Sequence, residues 1–316
     1  MNKEATKDTK FRTMIGGQAL IEGILMRGPQ KQAIVIRKDQ ELVTKVDELK
    51  LIKDRYPILG LPLIRGAVSF LDSMVKGVSA VSYSAEQMPE EDQEEPSKLD
   101  QWIEDRFGWD KAQKIIIAIA VILGIGMSVG LFILLPTLLA GFVDGIVKSR
   151  LLRNLTEGAL RIAIFMLYLA LCSRMKDIQR MFAYHGAEHK TIHCYEKGLP
   201  LTVENVRIQR REHPRCGTSF LFVVMIVSML VFSVVSWSNT WVRMGMRILL
   251  LPVVVGISYE FNRLVGRYDN PFTAFLAAPG MAMQKITTNE PDDSMIEVAI
   301  AALTLVIPDE EGADTW

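Results

Sequence analysis

The run IIIAIAVILGIGMSVGLFILLPTLLAGFV, from Ile115 to Val143, contains no charged residue. Roughly 20 apolar residues suffice to cross the hydrocarbon core of a bilayer. Inside lipid each backbone N–H and C=O must find a partner within the protein, so an isolated apolar segment of this length is committed to a helix. Pro136 removes one backbone donor near its end and predicts a kink there. The composition agrees: 49% of the residues are hydrophobic, and the mean hydropathy is +0.20, high for a soluble domain.

Three further apolar runs follow. Ala159–Cys172 is shorter and carries Arg161 near its start, where a long side chain is expected to snorkel toward the headgroups. Ser219–Trp237 ends on a tryptophan suited to the interface. Met246–Ile257 has a short core, which leaves a re-entrant or tilted element open. The expected fold class is a mainly α, polytopic membrane protein with about four transmembrane helices and a small α+β N-terminal cytoplasmic region. Four crossings put both termini on one side. Between the second and third runs lie Arg174, Lys176, Arg180, Lys190, Lys197, Arg207, Arg210, Arg211 and Arg215, which assign that loop to the cytosol. Lys148, Arg150 and Arg153 between the first two runs argue weakly the other way.

Four regions are expected. Residues 1–85 form an N-terminal cytoplasmic region in which QAIVIRK, a two-residue turn and ELVTKV read as a β-hairpin. Within it Pro62–Ala85 has a helical pattern interrupted by Arg65, Asp72 and Lys76, too charged to span and suited to an interfacial or core helix. Residues 86–112 hold an acidic, proline-bearing linker and a pre-membrane segment. Residues 113–265 form the transmembrane bundle, with a histidine-rich cytosolic helix and loop at 173–218. Residues 266–316 form a C-terminal cytoplasmic segment, where Ser294 and Glu297 fit a capping box. The polar start of the chain predicts no cleaved secretory signal. Cys172, Cys194 and Cys216 read as reduced thiols, and the zero net charge offers no footprint for nucleic acid.

Histidine is scarce, four residues in all, yet three of them fall in YHGAEHKTIHCYE, Tyr184–Glu196. From Ser173 to Lys197 the sequence reads as a helix stopped by Gly198 and Pro200. His185, Glu188, His189 and Glu196 then share one face, with His193 at its edge. His185–His189 spells H-x-x-E-H, two imidazoles one turn apart with an intervening carboxylate, the reversed pattern of zinc hydrolases. The remaining histidine occurs in HPRCGTS, where His213 and Cys216 lie in a turn that enters the third apolar run. Imidazole and thiolate both suit zinc. The expected ligand set is therefore His185, His189, His213 and Cys216. Four protein ligands would close a structural site; three would leave a position for hydrolysis with Glu188 as base. The bland alternative is a solvated histidine face, with Cys216 a small buried hydrophobe.

GGQALIEGILMRGP, Gly16–Pro29, has neither the phosphate loop nor the dinucleotide fingerprint. It reads as a strand and turn whose glycines satisfy backbone geometry, or as a tight loop contacting the metal region or a partner. Glu260 ends the fourth apolar run and is expected to pair with Arg263 or to serve function.

These stretches, with LTVENV and QKITTNEPDDSMIEVAIAAL, resemble the YqhQ-like family, bacterial membrane proteins of unknown function described as predicted metal-dependent enzymes. The resemblance implies a bacterial cytoplasmic membrane location and no substrate. Unlike soluble H-x-x-E-H hydrolases, the chain shows no downstream acidic third ligand and no large soluble body.

The leading expectation is an integral membrane metalloprotein with a cytosol-facing Cys/His zinc site, acting as a hydrolase through Glu188. The other reading is a non-catalytic accessory or scaffold in membrane-protein biogenesis or complex assembly, with a structural metal or none. Its partners would be the lipid bilayer and another membrane protein. A transporter is third, since Arg161 and Glu260 are the ionisable groups noted within the spans.

Overall fold

Short apolar runs separated by turn residues between Gly16 and Glu48 produce a four-stranded antiparallel meander: β1 (Gly16–Leu20), β2 (Gly23–Arg27), β3 (Lys31–Lys38) and β4 (Glu41–Glu48), with the two central strands buried along continuous stretches. The expected hairpin is β3–β4, and its turn residue Asp39 takes a left-handed φ of 55°, as tight hairpin turns require. The glycine-rich stretch before it forms β1 and β2. The computed structural model describes residues 11–49, 56–88, 98–142, 149–234, 240–268, 270–310 and 312–315. Most of the expected acidic linker, as well as Lys148 and Trp237, falls outside them.

The chain is mainly helical beyond the sheet, and its residues group into two compact units. One unit comprises Met1–Gln87, Leu169–Val227 and Pro252–Trp316. In it Ile24 lies opposite Val35 and Met26 opposite Ala33, so one sheet face carries four fully buried side chains. Against that face pack the helices α6 (Lys176–Glu196) and α11 (Asp293–Thr304), through Ala183, Tyr184, Ala187, Ile296, Ala299 and Leu303. Burying a side chain such as Ile24, Ile296 or Leu303 contributes about 1.5–3 kcal/mol each. The C-terminal helix is thus a wall of the core. Its cap differs from the expected box: Asp292 accepts the Met295 N–H at 3.0 Å, and Glu297 instead binds Arg37 at 2.6 Å. The helix starts one residue before Ser294 because the aspartate at the turn outcompetes the serine as N-cap.

The same unit contains α1 (Ile64–Glu86), α7 (Val203–Arg207) and α10 (Pro271–Thr287). Asn270 and Thr273 form a reciprocal capping box at the start of α10. Glu260 pairs with Arg65 of α1 through two hydrogen bonds of 2.7 and 2.5 Å, so its hydrogen-bonded partner is not Arg263. Sequence proximity favoured Arg263; the packing of two distant helices decided otherwise.

The second unit comprises Met88–Tyr168 and Ser228–Leu251. It includes α2 (Lys98–Phe107), α3 (Trp109–Val129) and α4 (Leu135–Gly141). Between the last two, Gly130–Leu134 forms a π-helical turn just before Pro136. The wider turn accommodates the proline, which cannot donate back to the preceding turn. The remaining long helices are α5 (Arg150–Cys172), α8 (Gly217–Val234) and α9 (Thr240–Arg267). Three helical stretches, Ile115–Gly141, Asn154–Cys172 and Trp241–Arg267, are long and apolar enough to cross a membrane, and Gly217–Ser233 is a shorter apolar helix. The fourth expected run belongs to a continuous helix of 28 residues rather than a short re-entrant piece.

Arg161 does not snorkel. It is buried, donates to the Ser228 hydroxyl at 2.8 Å, and lies 3.5 Å from Glu157. Glu157 also accepts from the Thr137 hydroxyl at 2.7 Å and from Arg247 at 2.7 Å. The buried ionisable groups of these helices therefore include Glu157, Arg243 and Arg247 in addition to Arg161. Apolar surroundings make an unpaired charge costly, and the mutual pairing of Glu157, Arg161 and Arg247 offsets that cost.

Candidate metal centre

The helix α6 ends where the sequence predicts. Gly198 takes φ 63°, its N–H reaches the Tyr195 carbonyl, and the Leu199 N–H reaches Cys194, the double closure that a left-handed glycine permits. The C-terminal half of α6 is buried almost throughout, which is unusual for a segment so rich in polar residues. Its small residues explain how neighbours come close. A Cβ on Gly186 would lie 2.1 Å from the Asn289 carbonyl oxygen, so only glycine admits the chain that leaves α10.

That approach fixes the first histidine. His185 Nδ1 meets the Thr287 carbonyl at 2.8 Å, while its Nε2 faces Cys216 Sγ at 3.1 Å. His189 Nδ1 is likewise bonded to a carbonyl, that of Arg211. A carbonyl oxygen only accepts, so both Nδ1 atoms carry the proton, and a neutral imidazole of either residue presents its lone pair at Nε2. Ligand atoms of His185, His189 and Cys216 lie within 4.8 Å of one another. The outer hydrogen bonds that orient imidazoles toward a metal are thus present for both histidines.

Cys216 stands at the start of α8. Its Sγ lies 3.4 Å from the Thr218 N–H and 3.1 Å from the Thr218 hydroxyl. Burial works to raise the Cys216 thiol, but the charges of His185 and His189 and their hydrogen bonds hold it well below its ordinary value. Burial works to lower His185 in turn, and the Cys216 thiolate outweighs it, raising the imidazole to about 9.

Glu188 is buried beside them. Its Oε1 accepts the Gly17 N–H at 2.9 Å, and its Oε2 lies 3.4 Å from His189 Nε2. Burial raises the Glu188 carboxyl, against the lowering effect of the two imidazoles. A Cβ on Gly17 would come within 2.8 Å of Glu188 Cγ and 2.9 Å of the Leu25 carbonyl. The glycine-rich stretch is therefore a strand and turn that also contacts the candidate site. Its turn residue Glu22, at φ 48°, binds Arg180 through two bonds of 2.5 Å and accepts from the Tyr184 hydroxyl at 3.1 Å. These are the residues just before the first histidine.

His213 falls elsewhere. Of the four expected ligands, the structure brings together His185, His189 and Cys216; it groups His213 with His193 and Glu196. The His213 backbone is held at both ends of its peptide by the Gln284 side chain, at 2.7 and 2.8 Å. Arg215 enters this second group, bonding to Glu196 and reaching His213 Nε2 at 3.2 Å. Glu196 also accepts the Thr13 N–H at 2.9 Å, and His193 Nε2 donates to the Glu212 carbonyl at 2.9 Å. With a guanidinium already at its carboxylate and imidazole, the second group has the chemistry of a structural ion-pair clamp. Burial lowers His193 to about 4 and, with nearby positive charge, holds His213 well below its usual value.

The parts played by Gly186, Thr287 and Arg215, and the individual role of Gly17 within its stretch, were not legible in the sequence. A lone glycine inside an otherwise helical pattern and the Gly16–Gly17 doublet were the available signals; a backbone carbonyl supplied by a distant helix leaves none. Cys194 is buried and Cys172 partly so, and both are free thiols, as is Cys216.

A family model described as "Protein of unknown function (DUF1385)" matches residues 61–309. The "Uncharacterized protein YqhQ" of Bacillus subtilis (strain 168) is 34% identical over 293 residues, covering 90% of this chain and 89% of that protein. No solved structure matches the chain. The shared sequence over nearly the full length of both proteins, together with the family match, places this chain in the YqhQ-like DUF1385 family.

Proposed function

We propose that the protein is an integral membrane metalloprotein in which His185, His189 and Cys216 hold a zinc ion, and that Glu188 serves as the general base of a metal-dependent hydrolase. The observation that carries the reading is the convergence of three ligand atoms within 4.8 Å, with each imidazole anchored through Nδ1 to a carbonyl. Three protein ligands leave one position of a tetrahedral ion for water or substrate. A bound zinc would supply Lewis acidity and lower the pKa of its water. Glu188, adjacent in sequence to His189 and oriented by the Gly17 amide, is the group on hand to take a proton. His213 is assigned to the clamp that holds the turn before Cys216.

The topology proposed with it has four crossings, the 18-residue helix α8 serving as the third. That length is at the short end of the range for a spanning helix. The lysine and arginine excess between Cys172 and Ser219 supports a cytosolic location for the histidine unit and both termini.

The test is zinc content of detergent-purified protein by mass spectrometry, together with labelling by a hydroxamate photoprobe that needs an open metal position. Near-stoichiometric zinc is expected in wild type, Glu188→Gln and His213→Ala, and its loss in Cys216→Ala and in the His185→Ala/His189→Ala double variant. Probe labelling should follow the zinc. Zinc without labelling, and zinc lost in His213→Ala, would indicate a closed structural site and favour the accessory reading. No zinc in chelator-free wild type would end the metal proposal.

A further inference from the structure

The helix α1 and the turn before it carry an exposed apolar surface that the metal reading does not use. Ile58 is 70% exposed, Leu61 52%, Leu71 61% and Val75 71%. Leu71 and Val75 are one helical turn apart, and Ile64 and Val78, also exposed, extend the same stripe. The charges in the first half of the helix, Arg65, Asp72 and Lys76, are half-buried and paired. Asp72 pairs with Lys76 at 2.9 Å and with Arg27 of β2 at 3.2 Å.

The beginning of α1 lies against apolar helices. A Cβ on Gly66 would stand 2.6 Å from Tyr259 Cβ, and one on Gly256 would stand 2.5 Å from the Leu63 carbonyl oxygen. Backbone therefore meets backbone between α1 and the helix Trp241–Arg267, which has the length and composition to span. Phe70 contacts Phe220 of the apolar helix α8, ring centroids 5.9 Å apart.

The first N–H groups of a helix lack partners within it and must find them elsewhere, in lipid as in water. The N–H groups of Arg65 and Ala67 turn back to the carbonyls of Leu61 and Leu63, and a carboxylate from the neighbouring helix lies beside them. Glu260 accepts the Leu63 N–H at 3.4 Å and both hydrogen bonds from Arg65. Leu63 takes φ 69°, a left-handed conformation costly for a branched side chain, and thereby turns the chain into the helix.

We infer that residues 57–78 enter the bilayer leaflet on the histidine side, with the Ile58, Leu71 and Val75 face against lipid acyl chains and the polar helix start closed by Arg65 and Glu260. This is an embedded helix that does not cross. The inference rests on the membrane part of the reading above and not on the metal, so loss of one leaves the other standing. Its consequence is that the unit holding Cys216, the residue before α8, is anchored to the leaflet by a second element.

The experiment is spin labelling of Leu71→Cys and Val75→Cys in full-length protein in lipid nanodiscs, with Val46→Cys of β4 as the aqueous reference and the labelled parent subtracted for native thiols. Collision rates with oxygen, which partitions into hydrocarbon, and with a water-soluble nickel chelate are compared. High oxygen and low nickel accessibility at both positions, reversed at Val46, is the expected result. Nickel accessibility equal to that of Val46 would place the face in water and overturn the inference. Low accessibility to both reagents would mean that protein, a second copy or another partner, covers the face, and would equally overturn it. Ile58→Cys gives an independent position outside the helix, so poor folding of one variant leaves the outcome decidable.

Discussion

Replacing Gly186 by alanine sets two physical effects against each other. Gly186 lies in the interior of α6, and on helix propensity alone alanine would stabilise by about 1 kcal/mol. The new Cβ would stand 2.1 Å from the Asn289 carbonyl oxygen and 3.5 Å from Pro291 Cδ. The first of these is a backbone atom, which cannot rotate aside. Overpacking of this kind costs about 1–3 kcal/mol, and a backbone clash belongs at the upper end. The displaced segment also carries the Asn289 N–H bond to Phe182 and the Thr287 carbonyl that holds His185, both 2.8 Å. Losing one of them adds about 1 kcal/mol. The balance is a net destabilisation of about 3 kcal/mol, with zinc affinity reduced by roughly 10- to 100-fold because the outer bond of a ligand is loosened. Denaturant unfolding in detergent and chelator competition measure the two quantities. Stability equal to or above wild type would refute the close approach of α6 to residue 289 and, with it, the way His185 is held.

Arg247→Ala should leave the Glu157 carboxylate buried without its strongest partner and cost about 3–5 kcal/mol; the Glu157→Ala/Arg247→Ala double variant should recover part of that loss in the same unfolding assay. Gly17→Ala should cost about 1–3 kcal/mol by forcing β1 away from Glu188 and Leu25, while zinc content stays at the wild-type level because Gly17 touches no proposed ligand. Acid sensitivity should follow the second histidine group. His193 is held neutral by burial down to about 4 against 6.5 when unfolded, and His213 acts in the same sense. The unfolded chain therefore binds protons first. Stability is full above about 6.5 and declines as pH falls toward about 4, by up to roughly 1.4 kcal/mol per pH unit for each such histidine. Denaturant midpoints of wild type and His193→Gln across that window test this, and an equally steep decline in the variant would contradict it.

How far the sequence can be read depends on whether a signal is local. Helical periodicity, a glycine stop and the H-x-x-E-H spacing all lie within a few turns, and they located α6 and put His185, Glu188 and His189 on one face. The return of Cys216 to that face was legible because cysteine and histidine concentrate in two short motifs. The partner of His213 was not legible, because His213 and Cys216 are three residues apart yet point into different groups, a choice made by the Gln284 side chain from α10 and by Arg215. Arg161 illustrates the same limit. Read alone it is a snorkelling cation, but Glu157 and Ser228 give it partners within the helices.

Local pattern along the chain sufficed for the apolar helices that dominate it, for the β-hairpin that precedes them, and for the gathering of histidine and cysteine in two short motifs ahead of the third apolar run. These follow from periodicity and composition, which are properties of neighbouring residues. It took the folded chain to show that a glycine of β1 orients Glu188, that the carbonyl of Thr287 fixes His185, and that the C-terminal helix completes the core beneath the site. Each of those contacts joins residues more than 100 positions apart, the first two through backbone groups that every residue carries alike and the third through apolar side chains that could pack against many others, so no local pattern along the chain could have announced them.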